Sequence, residues 1–422
     1  MKAKGLQYKW VIVAICTLMV FACLGFGNSA KSLFVGPVSQ ALGVKRTVFS
    51  LSDTIRYLAT AVANVFFGRL MLRFGAKKLI LTGIGCVAAA SVLFSKATNI
   101  YVFFTGSLLL GTGLAFTTTT MVGSVVNTWF DKNRGTVTGF VLASSGLGGA
   151  IATQLLSPMI FQEGNALGYK NAYMTTAILV AAVGILTLVF YRENDQNSLA
   201  AAGKSEKTTK RSFAWAGLDY AETVKRPYFY GAIGLIFLSG LALQGMSGSA
   251  ATHIKDVGFS ADFTAAMLSL SMIALAFSKF VTGVIYDRHG LRATVNCCAT
   301  AGVVVMFLLA FLTHSPTGSV MAVAYAIINS LALPMETVLI PLYASDLFGE
   351  RSFNKTIGIF AAANTAGFAL GAPIINSCYD AFGSYCNGFI LFGVIMMLVL
   401  AGFQLVIAAA HKEKQLGKGA LS

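Results

Sequence analysis

The chain reads as an all-α membrane protein in which twelve transmembrane helices form two pseudo-symmetric bundles of six. Three observations predict this. Of its 422 residues 56% are hydrophobic and only 11% charged, with a mean hydropathy of +0.73, a balance foreign to ordinary soluble domains. Apolar runs of about 20 residues, enough to cross about 30 Å of hydrocarbon as a helix, recur along the whole sequence. A glycine-framed motif that begins at Gly68 returns at Gly283, half the chain further on.

In the first half the runs are Trp10 to Phe34, Phe49 to Leu70, Leu79 to Phe94, Tyr101 to Thr128, Gly135 to Ile160 and Ala172 to Tyr191. The second half gives Tyr228 to Thr252, Phe263 to Tyr286, Ala293 to Thr313, Val320 to Tyr343, Ile357 to Tyr379 and Gly388 to Ala410. Between them lies a polar, charged stretch that reads as a linker. The expected organisation is therefore a bundle over 1–191, a cytoplasmic linker over 192–227, and a second bundle with a short cytoplasmic tail over 228–422. Lys2, Lys4 and Lys9 before an apolar run look like the start of a signal peptide, but the run is long and eleven more follow, so it reads as an uncleaved first helix.

Basic residues set the expected orientation, because short loops rich in Lys and Arg stay on the cytoplasmic side. With both termini inside, 23 of the 31 fall on inner segments, among them Arg69, Arg73, Lys77, Lys78, Arg288 and Arg292. Outside are only Lys45, Arg46, Lys96, Lys170 and Lys255. The formal net charge of +15 thus follows from topology and does not call for a nucleic acid partner. The expected location is the inner cell membrane, multi-pass, in contact with lipid, with the chain acting as a monomer.

Enzyme and cofactor readings find no support in the residues. Seven cysteines are scattered without a C-x-x-C pair and four histidines are spread widely, so no metal site is indicated. Cys378 and Cys386 flank one outer loop, and small apolar packing is the plainer reading of them than a disulfide. "AAGKS", Ala201 to Ser205, resembles the end of a phosphate-binding loop, yet Ser198 stands where a glycine is needed and no strand precedes it.

Two motif pairs carry the internal repeat. "GRLMLRFGAKK" (Gly68 to Lys78) matches "GVIYDRHGLRA" (Gly283 to Ala293), a tight turn after the second and eighth helices with basic residues around it. "NTWFDKNRGTVTGF" before the fifth helix matches "SDLFGERSFNKTIGIF" before the eleventh. From helix one to helix twelve the chain resembles the major facilitator superfamily. That resemblance implies a transporter built of two six-helix bundles with a site between them. Gly283, Asp287, Arg288, Gly290 and Arg292 are similar to the superfamily's loop signature. In the first copy Gly68, Arg73 and Gly75 agree, but Leu72 stands where the aspartate is expected. The gating role that the resemblance implies rests on these residues. The segment with Trp129, Phe130, Arg134 and Gly135, together with "SDLFG", is similar more narrowly to the monocarboxylate porters and the oxalate:formate antiporter group.

Charged residues inside apolar runs are the candidate site. Lys279 lies nine residues before Arg288, about 13 Å of helix rise and near mid-membrane. A cation at that depth costs roughly 2.5–3.5 kcal/mol on insertion scales, so it needs a partner or a wet cavity. Glu336 is the obvious partner. In the families just named, a cation eight positions before the loop aspartate is the substrate-carboxylate ligand, and Lys279 matches that place. Arg56 is three residues from Asp53, so the two can meet on one helix face, as a self-satisfied pair or as a second anion ligand. Lys31 reads as snorkelling near a helix end. Asn364 stands where the oxalate carriers have a second lysine, which removes one charge that a dicarboxylate would want. Glu336 or Asp53 is the candidate carrier of a coupling proton, since desolvation favours a neutral carboxyl.

"ASSGLGGA" (Ala143 to Ala150) and "AAANTAGFALGA" (Ala361 to Ala372) read as helix-packing surfaces, where small residues allow close approach in lipid. Thr117 to Thr120 either line a pathway or bond backward to their own helix. Pro334 and Pro341 predict a bend that carries Glu336. The expectation is a secondary carrier, not an enzyme and without a cofactor, moving a small organic anion such as a monocarboxylate with a proton or a counter-anion by alternating access. A carrier of a neutral or aromatic solute, in which Lys279 only pairs with Glu336, and a non-transporting membrane sensor are the alternatives. A sensor would be expected to carry an added soluble domain, and the linker is too short and polar to be one.

Overall fold

A computed structural model describes residues 2–29, 34–44, 46–130, 132–160, 167–193 and 217–419. Lys31, Lys45, the "AAGKS" stretch and most of the polar linker lie outside the described residues. The chain divides into two compact units, residues 1–208 and 209–422, and each is described by itself.

Among the described residues ten helices are long and apolar enough to cross a membrane. Two of them, Leu51–Ser95 and Ala266–Ala310, are 45 residues long, about 68 Å as straight rods and more than twice the hydrocarbon thickness. Each is interrupted at one glycine, Gly75 (φ 77°, ψ 170°) and Gly290 (φ 77°, ψ −179°). Each therefore holds two crossings, giving the twelve expected. The separate runs predicted around residues 70–79 and 286–293 are helical right up to these turns. Only one residue has to leave the helix, and glycine reaches that backbone region without a Cβ clash. The step along the chain from Gly75 to Gly290 equals that from Gly68 to Gly283, the offset of the sequence repeat.

The first crossing departs from expectation. Its α-helix, Lys2–Val20, passes into a π-helical segment, Phe21–Ser29, and beyond residues 30–33, which lie outside the described ones, Val35–Leu42 is a short helix. The wide segment coincides with a close approach: a Cβ on Gly25 would lie 2.6 Å from the Cα of Gly148 in the fifth crossing, Arg134–Ile160. Ser144 of the same small-residue patch donates its hydroxyl to the carbonyl of Thr17 at 3.0 Å. In the second unit the patch on the eleventh crossing, Phe353–Phe382, meets the seventh, Pro227–Asp256, in the same manner. A Cβ on Gly367 would stand 2.3 Å from the carbonyl oxygen of Phe237, and one on Gly371 2.4 Å from that of Leu241. Both patches act as packing surfaces, as their composition predicted.

The tenth crossing bends at the expected place. Pro316–Ala332 gives way to a 3-10 turn, Leu333–Glu336, and resumes as Leu339–Phe348, because Pro334 lacks the N–H that a continuous helix needs. The fourth crossing is broken too, between Ile100–Thr117 and Thr119–Trp129, at Thr118 with φ −120° and ψ −140°. No proline marks that break. In the repeat Thr118 is the counterpart of Leu333. Thr117 and Thr118 bond backward to the carbonyls of Gly113 and Leu114 at 2.9 and 2.7 Å, a pattern that bends helices.

Candidate functional site

In the second unit the bend of the tenth crossing brings three predicted residues together. Lys279 on the eighth crossing is 6% exposed and Glu336 at the bend 8% exposed, and the two interact electrostatically. Asn364, from the eleventh crossing, donates its Nδ2 to the backbone carbonyl of Glu336 at 3.1 Å. Its Oδ1 faces Gly240 of the seventh crossing, where a Cβ would come within 2.7 Å. Asn364 therefore braces three crossings around the carboxyl and gives the broken turn a side-chain donor. Glu336 Oε1, Ser278 Oγ and Thr337 Oγ1 are buried and have no hydrogen-bond partner among the described residues. Unpaired buried oxygens cost about 1–3 kcal/mol each, so each of the three would be stabilised by a polar partner. Along the same helix, Ser271 accepts from Asn329 Nδ2 at 3.1 Å.

In the first unit the buried cation is held by its own helix. Arg56, 6% exposed, donates Nε to Asp53 Oδ1 at 3.2 Å, with a second nitrogen at the same distance. Its guanidinium also lies 4.1 Å from the centre of the Tyr57 ring. The repeat counterpart of Lys279 is Asn64, a buried amide whose Oδ1 accepts from Thr120 at 3.1 Å. Of the two readings of Thr117 to Thr120, Thr117 and Thr118 follow the backward-bonding one, while Thr120 bonds to Asn64 of a neighbouring crossing. Composition alone does not single out Asn64, although the repeat offset points straight at it.

The glycine turns differ between the units. At Gly75 the carboxylate of Glu193, just past the sixth crossing, accepts from the backbone N–H of Lys77 at 3.0 Å and covers the glycine, so that a Cβ there would meet Oε1 at 2.3 Å. An acid thus stands at this turn although Leu72 replaces the aspartate. Sequence spacing gives no sign of it, because Glu193 is 116 residues from Lys77. At Gly290 a Cβ would meet nothing within 4 Å, and nearby Arg292 donates to Gln404 at 2.7 Å. Gly68 and Gly283 are buried, while Arg73 and Arg288 are exposed. Around the second motif pair, Arg134 donates to the carbonyl of Phe130 at 2.6 Å, and Lys414 pairs with Asp346 at 2.8 Å. Cys378 and Cys386 are free thiols.

Twelve crossings, a duplicated bundle and matched glycine turns describe a polytopic carrier. The profile of the Major Facilitator Superfamily matches residues 15–264 and 232–420, and the chain belongs to that family. It is therefore a secondary carrier and not an enzyme. The chain is 23% identical over 376 residues to the oxalate:formate antiporter of Oxalobacter formigenes, covering 87% of this chain and 85% of that one. It is 22% identical over 420 residues to monocarboxylate transporter 12 of Xenopus laevis, covering 96% and 88%. An uncharacterized transporter of Bacillus subtilis is 25% identical over 213 residues, and there the match spans about half of each chain, 50% and 49%. Among solved structures, a variant of the Escherichia coli fucose:proton symporter superposes with a TM-score of 0.74 at 15% identity, covering 94% of this chain and 99% of that one, which speaks to the fold alone.

Proposed function

We propose that the chain carries a small organic anion, a monocarboxylate, across the inner cell membrane by alternating access, with both termini cytoplasmic. The observation that supports this reading best is the burial of Lys279 beside Glu336 and a set of unpaired buried oxygens. An ammonium at this depth is costly unless it is kept for a ligand. A carboxylate that displaces Glu336 from Lys279 gains a charge-assisted hydrogen bond, while Ser278 and Thr337 offer hydroxyl donors to its second oxygen. Glu336, released from the ammonium, is the group placed to take a proton, which would make transport electroneutral symport; exchange for a second anion is the other mode open to the same site. Arg56 is a second anion ligand and Asp53 a second proton carrier in this scheme, each acting only if their mutual bond opens. Asn364 contributes by fixing the Glu336 backbone. Relatives named for oxalate, formate and monocarboxylates support the substrate class.

The test is uptake of radiolabelled monocarboxylates into proteoliposomes. Lys279→Gln should abolish uptake while leaving the carrier assembled, since the buried Glu336 carboxyl left without its cation can take a proton and stay neutral. Lys279→Arg should keep a part of it, because a guanidinium still binds carboxylate though its planar head is larger. Uptake at the normal rate by Lys279→Gln, at matched expression, would return Lys279 to a purely structural role and favour a neutral solute.

A further inference from the structure

The second unit holds a cavity of about 300 Å³ that the anion site does not use. Its lining includes His253, Asp256, Tyr379, Ser384, Tyr385 and Cys386. These residues come from the end of the seventh crossing, from the end of the eleventh at Tyr379, and from the connection that leads into the twelfth at Cys386. Asp256 lies close in sequence to Ala261, where the eighth crossing starts. From Ala261 to Lys279 the helix rises about 27 Å, so the cavity is distinct from the Lys279 site.

Its chemistry has one sign. Asp256, exposed at the rim, supplies a carboxylate, and among the described residues no lysine or arginine lines the wall. Tyr379 and Tyr385 stand with ring centres 4.5 Å apart, and His253 meets Tyr385 edge-on at 6.0 Å. His253 is 2% exposed and its Nε2 is 2.8 Å from the carbonyl of Leu309. Donation there leaves Nδ1 of the neutral ring as an acceptor. The Tyr385 hydroxyl donates to Asn376 Oδ1 at 3.3 Å, and Ser384 Oγ donates to Cys386 Sγ at 3.1 Å and accepts from the Cys386 N–H at 3.2 Å, so these donors are spent while the ring faces remain. Burial, then the nearby Asp256 carboxylate, the Tyr379 phenol and Asp380, push the Tyr385 phenol above its usual range.

We infer that this cavity is a binding site for a small organic ammonium cation, recognised by the Asp256 carboxylate and the faces of Tyr379 and Tyr385. Tyrosine faces attract cations within about 6 Å of the ring centre, most strongly when the site is shielded from water. A volume of about 300 Å³ suits a methylated amine rather than a bare ion and lies at the low end of small-ligand pockets. A metal is the poorer fit, since no group of three His, Cys, Asp or Glu suited to one exists among the described residues.

The experiment is calorimetric titration of tetramethylammonium chloride into the purified full-length protein in detergent, against sodium chloride at equal concentration. Saturable binding of tetramethylammonium that sodium does not reproduce is expected. Asp256→Asn and Tyr379→Ala should each weaken it about tenfold. The two substitutions act on different walls, so misfolding of one variant leaves the other as the test. Absence of saturable binding in the unmodified protein, equal heats from sodium, or undiminished affinity in a folded variant would overturn the assignment.

Discussion

Alanine at Gly75 and at Gly290 separates backbone strain from side-chain collision, because the two glycines share one conformation in different surroundings. Both sit at φ 77° with ψ near ±180°, a region almost closed to other residues and costing about 1–3 kcal/mol per occupant. At Gly290 a methyl group meets nothing within 4 Å, so Gly290→Ala should cost about that strain and nothing more. At Gly75 the methyl would stand 2.3 Å from Glu193 Oε1. The carboxylate must move and give up its bond from the Lys77 N–H. A hydrogen bond to a charged group is worth about 1.5–3 kcal/mol, and partial exposure of Glu193 places this one at the lower end. Gly75→Ala should therefore be more destabilising than Gly290→Ala by about 1.5 kcal/mol. Glu193→Ala added to Gly75→Ala should cost almost nothing further, whereas with Gly290→Ala it should add in full. Equilibrium unfolding of these four variants and of Glu193→Ala alone in mixed micelles, followed by circular dichroism of the helices, measures every quantity. Equal costs at the two glycines, or full additivity of Glu193→Ala with Gly75→Ala, would refute the reasoning.

Two further outcomes are expected. Reporter fusions should place both the N-terminus and the C-terminal tail on the cytoplasmic side, and an external tail would overturn the charge argument. In competition against monocarboxylate uptake, formate, acetate or lactate should inhibit more strongly than oxalate or succinate, because Asn364 is neutral and engaged with the Glu336 carbonyl at 3.1 Å; a dicarboxylate that outcompetes every monocarboxylate would refute this.

The number of crossings, the repeat and the bend at Pro334 are legible in the sequence because each rests on a local rule: apolar length, glycine spacing, a missing N–H. The Lys279–Glu336 encounter is legible because a buried cation demands a partner and acids inside the second-half runs are rare. What stays hidden depends on tertiary approach. The π-helical end of the first crossing answers to Gly148 in the fifth, and Glu193 at Gly75 is brought there by the path of the sixth. The break at Thr118 has no proline to announce it. Asn364 reads in the sequence as the place of a missing charge, while the structure gives its amide two neighbours, the Glu336 carbonyl and Gly240. A ligand role and a bracing role share the same residue type, and only the geometry distinguishes them.

The repeat offset adds an argument about why the ionic pair exists. Shifted by that offset, Gly240 falls on Gly25, Leu333 on Thr118 and Lys279 on Asn64, so the close glycine approach and the helix break recur in both units. The charges do not. Where the second unit holds Lys279 and Glu336, the first holds the neutral pair Asn64 and Thr120, the latter one residue from the match to Glu336, joined at 3.1 Å. At the matching position, therefore, the first unit stands without an ion pair, its Arg56–Asp53 pair lying elsewhere on the second crossing, and neutral replacements of such pairs are often harmless or stabilising. The double substitution Lys279→Asn with Glu336→Gln should then leave a carrier that elutes as a monodisperse peak and melts no lower than the unmodified protein, yet transports no anion. A double variant that aggregates or melts far lower would mean that the pair holds the second unit together, and the case for Lys279 as a ligand would lose its strongest support.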